Sequence, residues 1–85
     1  MRRSLDTRYD QPASMTFYSM EELGKVLRTR RKELAMTQSE VAEFCRCSQR
    51  LISEMERGRG TVGIDKVIGY ANGLGIDFTA TIRGK

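Results

Sequence analysis

The chain has 85 residues, a formal net charge of +4 and a pI of about 9.4. A chain this short buries only about 60–65% of its unfolded surface, so it has room for one domain and little room for a large catalytic cleft. The basic balance is compatible with a nucleic-acid partner, but small soluble proteins often carry a similar surplus.

The side chains that usually bind metals are scarce in this chain. Cys45 and Cys47 are the only cysteines, and histidine is absent. A disulfide across one intervening residue would be badly strained, which favours a reducing, cytoplasmic environment. Two sulfur ligands leave a tetrahedral zinc site incomplete, so we expect neither a metal nor a cofactor. We also expect no membrane contact, because no apolar run is long enough for a span or a signal peptide.

The chain also lacks the usual residues of an enzyme active site. It has no histidine, and no nucleophile lies beside a base in the sequence. The glycine-rich run GRGTVG, residues 58–63, lacks the lysine of a phosphate-binding loop. We therefore expect no enzymatic activity and interpret this run as a connector between helices.

The first part of the chain favours a flexible arm over residues 1–18. Residues 1–14 are polar, contain the only proline and show no apolar period. Nothing there would offset the entropy lost on ordering. The run MTFY at 15–18 is compatible with a strand or with a hydrophobic lead-in that covers the first helix. A basic arm in the minor groove of DNA, through arginines 2, 3 and 8, stays open as an alternative.

Two pairs of residues mark the starts of the first two helices. Ser19 with Glu22, and Thr37 with Glu40, have the spacing of a capping box, in which each side chain satisfies a free backbone N–H. Apolar residues then recur at helical spacing, which predicts helix 1 to about residue 34 and a helix 2 of about two turns. The predicted inward residues are Leu23, Val26, Leu27, Leu34, Val41, Ala42, Phe44 and Cys45.

Two further helices are predicted after a short turn. Ser48 is a third N-cap candidate, and the glycines at 58 and 60 end helix 3. Gly75 marks the end of helix 4. Helices this short are not stable alone, so they must pack together as one domain over residues 19–75. The predicted inward residues are Leu51, Ile52 and Met55 in helix 3, and Ile64, Val67, Ile68, Ala71 and Leu74 in helix 4.

The last segment, IDFTATIRGK at residues 76–85, changes to the alternating period of a half-buried strand. A lone strand in an otherwise helical chain needs a partner. That partner is either residues 15–18 or a second copy of the protein, and we favour the second copy. The segment therefore predicts dimerisation.

The outward face of helix 3 has the size and chemistry to enter the major groove of DNA. The groove is about 12 Å wide, and a short helix presents donors and acceptors to it from its first turns. Gln49 pairs well with adenine and Arg50 with guanine. A polar stripe is more often a plain solvated face, so this pattern alone leaves both interpretations open.

The run MTQSEVAEFCRCSQRLISEMERG resembles the lambda-repressor-like (Cro-like, XRE-type) helix-turn-helix family. The residues that fall at the family's typical positions are Thr37, Gln38, Val41, Ala42, Ser48, Ile52, Glu56 and Gly58. LGKVLRTRRKELAMTQ and IDKVIGYANGLGI resemble its first and closing helices, so the similarity spans residues 23–76. It implies an all-α, four- to five-helix DNA-binding domain, here with a short C-terminal β-strand.

The resemblance also implies roles for individual residues. It assigns Gln38 to a phosphate at the start of helix 2 and Ser48 to the start of the recognition helix. It places Gln49, Arg50 and Ser53 at base-reading positions. Arg57 is added to these predicted DNA-binding residues, although complementing the helix dipole is an equal alternative.

Five positions bear further on the match to the family. Ala42 fits where the two helices cross and only a small side chain is admitted. Arg31 and Glu56 match a pair that ties helix 1 to the recognition helix, so we interpret them as structural. Two residues depart from the pattern. Arg46 takes the place of the usual turn glycine, which requires either a left-handed arginine or a different turn. Arg30 stands where the family usually has leucine, which puts the packing of helix 1 in question.

The small size and the C-terminal strand resemble one subgroup, the HipB-like antitoxins of kinase toxin–antitoxin operons. This implies a homodimeric repressor of a palindromic operator in double-stranded DNA, with a kinase-like toxin as partner. Two alternatives stay open. One is a solitary XRE-type regulator, and the other is a protein-interaction module with the same fold.

Overall fold

The computed structural model describes residues 13–84. They form four α-helices, α1 (Met20–Glu33), α2 (Gln38–Cys45), α3 (Gln49–Glu56) and α4 (Ile64–Gly73). No strand is assigned in this part of the chain. The all-α prediction is therefore confirmed. None of the described helices is both long and apolar enough to cross a bilayer.

Local side-chain caps set three of the four helix starts. Thr37 and Glu40 form the reciprocal capping box at α2, with bonds of 3.0 and 2.8 Å. Ser19 Oγ accepts from the Glu22 backbone N–H at α1, but Glu22 Oε1 accepts from Tyr18 instead of Ser19. In the predicted capping box at α1, the hydrogen bond to the Glu22 side chain therefore comes from Tyr18, one residue before the expected donor Ser19. Ser48 caps α3, whereas Gly63 at α4 offers no side chain.

Every helix is followed by a residue in the left-handed conformation. These residues are Ala35 and Arg46, both with φ of 59°, and Gly58 and Gly75, both with φ of 80°. At α3 the Gly58 N–H donates to Met55 O and the Arg59 N–H to Glu54 O, which is the Schellman pattern. The chain therefore reverses direction after each helix with its last carbonyls satisfied.

The core is one cluster to which all four helices contribute. Its buried members are Leu23, Leu27, Val41, Ala42, Ile52, Met55, Val67, Tyr70, Ala71 and Leu74. Three predicted inward residues are exposed instead, namely Phe44, Ile64 and Ile68. In α4 the buried stripe is 67, 70, 71 and 74, so the inward face extends towards Tyr70 and away from Ile64 and Ile68. In α2 the inward face is Val41, Ala42 and Cys45, and Phe44 projects beside it.

The close approach of α1 and α3 depends on two glycines. A Cβ at Gly24 would lie 2.6 Å from the Glu56 carbonyl oxygen and 2.7 Å from that of Met55. A Cβ at Gly58 would lie 2.5 Å from the Glu21 Cα. The C-terminal end of α3 is thus pressed against α1, and no other residue type fits at either contact without displacing backbone.

Both ends of the described chain lack regular secondary structure. Residues 13–17 and 76–84 have no assigned secondary structure, so the predicted C-terminal strand is not found in the single chain. The rings of Phe17 and Phe78 contact each other with centroids 5.8 Å apart. Within the described residues no backbone ladder joins the two segments. Pairing of the tail with a second copy stays a prediction. Residues 1–12 of the predicted arm, and Lys85, lie outside the described residues.

We expect Gly24→Ala to lower the free energy of unfolding by about 1–3 kcal/mol, because the added methyl group overpacks the contact with α3. Gly69→Ala is the matched control. Gly69 lies within α4 with nothing within 4 Å of an added Cβ, so alanine there should raise stability by up to about 1 kcal/mol through helix propensity. Urea denaturation of the two variants measures both effects. A Gly24→Ala variant as stable as Gly69→Ala would contradict the close contact.

Candidate nucleic-acid interface

The turn between α2 and α3 is closed by a left-handed arginine. Arg46 has φ 59° and ψ 47°, and the Cys47 N–H donates to the Ala42 carbonyl oxygen at 2.9 Å. The chain therefore keeps the tight turn and accepts a side chain where glycine is usual. Ala42 itself is buried. Its place at the crossing of the two helices stays what the resemblance implies.

The first two turns of α3 present polar side chains to solvent. Gln49 and Arg50 are exposed, Ser53 is half-buried, and Ile52 is fully buried on the opposite side. The Arg50 side chain is 86% exposed, and its Nε lies 3.4 Å from Oε2 of Glu54, one turn further along. The predicted base-reading residues thus lie on one accessible face of a helix that is anchored from behind.

Three predicted contact residues flank that face. Ser48 is exposed, and its Oγ accepts from the Leu51 N–H, which leaves the hydroxyl hydrogen available to a further acceptor. Arg57 is exposed and is the C-cap residue of α3. Gln38 is half-buried at the first position of α2, and its Nε2 donates to Glu56 Oε1 at 3.1 Å. Sequence reasoning missed this last bond.

A buried ionic cluster holds α3 in place behind the exposed face. Arg31 Nε donates to Glu56 Oε2 at 2.7 Å and Arg31 Nη2 to Glu56 Oε1 at 2.9 Å, which confirms the predicted pair. Arg31 Nη1 also donates to the Met36 carbonyl oxygen at 2.8 Å. The Tyr70 hydroxyl adds a bond of 2.5 Å to Glu56 Oε2. Together with Gln38, the cluster joins all four helices.

The surroundings of Arg31 and Glu56 shift their pKa values so that both side chains stay charged. Burial opposes ionisation of Glu56, but hydrogen bonds from the three donors outweigh it and hold the pKa of the carboxyl below its ordinary value. The hydrogen bond to Glu56 raises the pKa of Arg31. Burial, reinforced by the same carboxylate, raises the pKa of Tyr70, so its hydroxyl remains a donor at neutral pH.

Two other side chains near the interface have structural roles. Arg30, which replaces the usual leucine, donates from Nε to the Leu74 carbonyl oxygen at 2.9 Å and so satisfies the end of α4. The thiols of Cys45 and Cys47 are half-buried, and burial raises the pKa of both. They remain protonated at neutral pH and fill space around the turn.

Known proteins match this arrangement in sequence and in fold. A family model for the helix-turn-helix domain matches residues 22–81. A chain of the HipA-HipB-O2-O3 complex superimposes with a TM-score of 0.76 at 21% identity, covering 84% of this chain and 100% of that chain. A chain of the HipB-O4 20mer complex gives a TM-score of 0.75 at 21% identity, with the same shares covered. At this identity the likeness concerns the fold.

A second kind of regulator is more similar in sequence. The clp gene regulator ClgR from C. glutamicum matches with 37% identity and a TM-score of 0.60, covering 67% of this chain and 73% of that chain. No curated protein matches the chain.

We expect Arg46→Gly to raise the free energy of unfolding by about 1 kcal/mol, because glycine adopts the left-handed turn without a Cβ clash. Arg28→Gly is the matched control, since Arg28 is an exposed arginine in the regular part of α1. It should lose about 1 kcal/mol through helix propensity. Thermal and urea denaturation check both values. Equal destabilisation by the two substitutions would contradict a strained turn.

Proposed function

Since this chain belongs to the helix-turn-helix family, we propose that it is a sequence-specific transcriptional repressor that binds double-stranded DNA as a dimer. The observation that carries this proposal is the exposed first half of α3, with Gln49 and Arg50 accessible while Ile52 and Met55 anchor the helix from behind. A helix held in this way fits the major groove with its N-terminal side chains against base edges.

In the proposed complex, base contacts and backbone contacts come from different residues. Gln49, Arg50 and Ser53 contact base edges, with Gln49 suited to adenine and Arg50 to guanine. Gln38 and Ser48 lie at helix N-termini, where N–H groups favour a phosphate. Arg57 contacts the backbone beyond the recognition helix. Each neutralised phosphate steepens the salt dependence by about 0.9 log units of affinity for every tenfold rise in salt.

The C-terminal tail supports the dimer. Phe78, Ala80 and Ile82 alternate with polar residues, yet only Phe78 is covered by its own chain, and Ile82 is 92% exposed. Pairing with the tail of a second copy would cover this apolar face and satisfy the unpaired backbone groups. A two-fold dimer then places two α3 helices in successive major grooves, with half-sites of a palindrome about 34–36 Å apart.

The cellular role that we favour is that of a HipB-like antitoxin that represses its own operon. The fold likeness to chains of HipA-HipB and HipB complexes supports this choice. The partner would then be a kinase-like toxin. ClgR, described as a gene regulator, supports the alternative of a solitary regulator. A kinase-like gene directly beside this one in the genome favours the antitoxin, whereas an unrelated neighbourhood favours the solitary regulator.

We expect Arg50→Ala and Gln38→Ala to weaken DNA binding in different ways. Arg50→Ala removes a base contact, so discrimination between cognate and scrambled duplexes should fall by about 1–3 kcal/mol. Gln38→Ala removes a phosphate contact made by a neutral amide, so both duplexes should weaken about equally while the salt slope stays close to that of the parent. The cognate duplex is obtained by selection from random sequences, and affinities are measured by fluorescence anisotropy over a range of salt.

Arg28→Ala, on the exposed face of α1, controls for the loss of one positive charge. If Arg50→Ala discriminates between the duplexes as well as the parent does, its assignment to a base is wrong. If the parent protein retards no duplex at low salt, the domain is a protein-interaction module instead.

We expect Ile82→Arg to disrupt the dimer without unfolding the helical domain, because the residue contacts solvent in the single chain and the partner in the dimer. Thr79→Arg is the control, because Thr79 is exposed and lies among the polar residues that alternate with Phe78, Ala80 and Ile82. Sedimentation equilibrium should give twice the chain mass of 9.7 kDa for the parent and the control. Ile82→Arg should sediment as a single chain and lose its preference for a two-half-site duplex. An unchanged mass would argue against dimerisation through the tail.

A further inference from the structure

The two oxygen atoms of the Glu56 carboxylate accept hydrogen bonds from different sets of donors. Oε2 accepts from Arg31 Nε and from the Tyr70 hydroxyl. Oε1 accepts from Arg31 Nη2 and from Gln38 Nε2. An ionised carboxylate offers about four lone-pair positions, so this buried group is saturated by its donors. Any donor that leaves must be replaced by another, because water has little access to the site.

The bond to Glu56 determines which end of the Gln38 amide lies against the carboxylate. One N–H of Nε2 is used by Oε1, and the second N–H remains for another acceptor. A phosphate only accepts hydrogen bonds, so this second N–H can donate to it while the first stays on Glu56, whereas a flipped amide would place its oxygen against the carboxylate. The neighbouring backbone N–H groups in the first turn of α2 also lack intrahelical acceptors.

The members of the cluster differ in how firmly they are held. Arg31 has a further anchor at the Met36 carbonyl oxygen, 2.8 Å away. Gln38 is half-buried, and among residues 13–84 its side chain bonds only to Glu56. If Oε2 lost a donor, Gln38 would therefore be the member most able to shift and refill the vacant position. Its amide would then turn away from solvent.

We propose that Tyr70 is a positioning residue for the backbone contact of Gln38, because its hydroxyl occupies Oε2 of Glu56 and so keeps Oε1 for the Gln38 amide. This inference rests on the proposed DNA-binding function. Tyr70 lies in α4, outside the helix-turn-helix unit, and touches no exposed surface, since it is only 2% exposed. It acts on DNA only through the chain of bonds from Tyr70 to Glu56 and from Glu56 to Gln38.

Tyr70→Phe isolates the hydroxyl, because the buried ring stays in the core. Tyr18→Phe makes the same chemical change at a tyrosine that is 78% exposed, and serves as the matched control. We expect Tyr70→Phe to weaken binding to a given duplex by about two- to tenfold, the effect of one hydrogen bond. The salt slope should stay close to that of the parent, as for Gln38→Ala, because neither substitution removes a charge. Tyr18→Phe should match the parent in both.

A double-mutant cycle distinguishes positioning from general stability. In the Gln38→Ala background, adding Tyr70→Phe should change affinity by less than about twofold, because the residue through which it acts is gone. A merely structural role would weaken binding by the same factor in both backgrounds. That result would overturn the role of Tyr70 and leave the DNA-binding function standing.

A second measurement needs no DNA. Nitrogen-15 relaxation of the Gln38 side-chain amide should show a well-ordered group in the parent and in Tyr18→Phe. In Tyr70→Phe it should show added motion, because the amide exchanges between Oε1 and the vacant position on Oε2 of Glu56. Unchanged order in Tyr70→Phe would overturn the inference, whatever the binding data show. A parent protein that retards no duplex would overturn the proposed function, and this role of Tyr70 with it.

Discussion

The fold depends on one buried carboxylate, that of Glu56, which receives hydrogen bonds from α1, α2 and α4 while it belongs to α3. Breaking a buried ion pair by removing one partner typically costs about 3–5 kcal/mol, whereas replacing the whole group by apolar residues is often neutral. Stability alone therefore does not explain such a cluster. Its effect here is geometric, because four acceptor positions on one carboxylate fix how four short helices meet.

The same region explains why α3 presents its N-terminal half to solvent. Gly24 and Gly58 let the C-terminal end of α3 press against α1, and Glu56 ties that end to Arg31. The helix is thus anchored at its C-terminal end and along the buried side of Ile52. Its first turn extends from the domain, where Gln49 and Arg50 meet solvent. Rigid support of this kind limits the entropy that a base contact would otherwise cost.

Local signals predicted the helix boundaries well, because caps and turns depend on neighbours in the sequence. The α4 stripe was predicted correctly at Val67, Ala71 and Leu74 but wrongly at Ile64 and Ile68, since positions 64, 67, 68, 71 and 74 satisfy the helical period as well as 67, 70, 71 and 74 do. Tyr70 belongs to the second set, but it was not counted as an inward residue because its side chain carries a polar hydroxyl group. The Arg31–Glu56 pair followed only from a family resemblance. Gly24 was not predicted, because its role depends on a helix that is distant in sequence.

The charges of α3 separate affinity from specificity in the proposed complex. Glu56 is neutralised by Arg31, and Arg50 lies beside Glu54, so the outward face of the helix carries little net positive charge. Attraction to the phosphate lattice must then come from elsewhere, namely from helix N-termini and from the exposed Arg57 and Arg59 that follow α3. Contacts of that kind hold any duplex equally. A nearly neutral recognition face adds affinity only where its amide and guanidinium groups find matching bases, so non-specific binding stays weak relative to the operator.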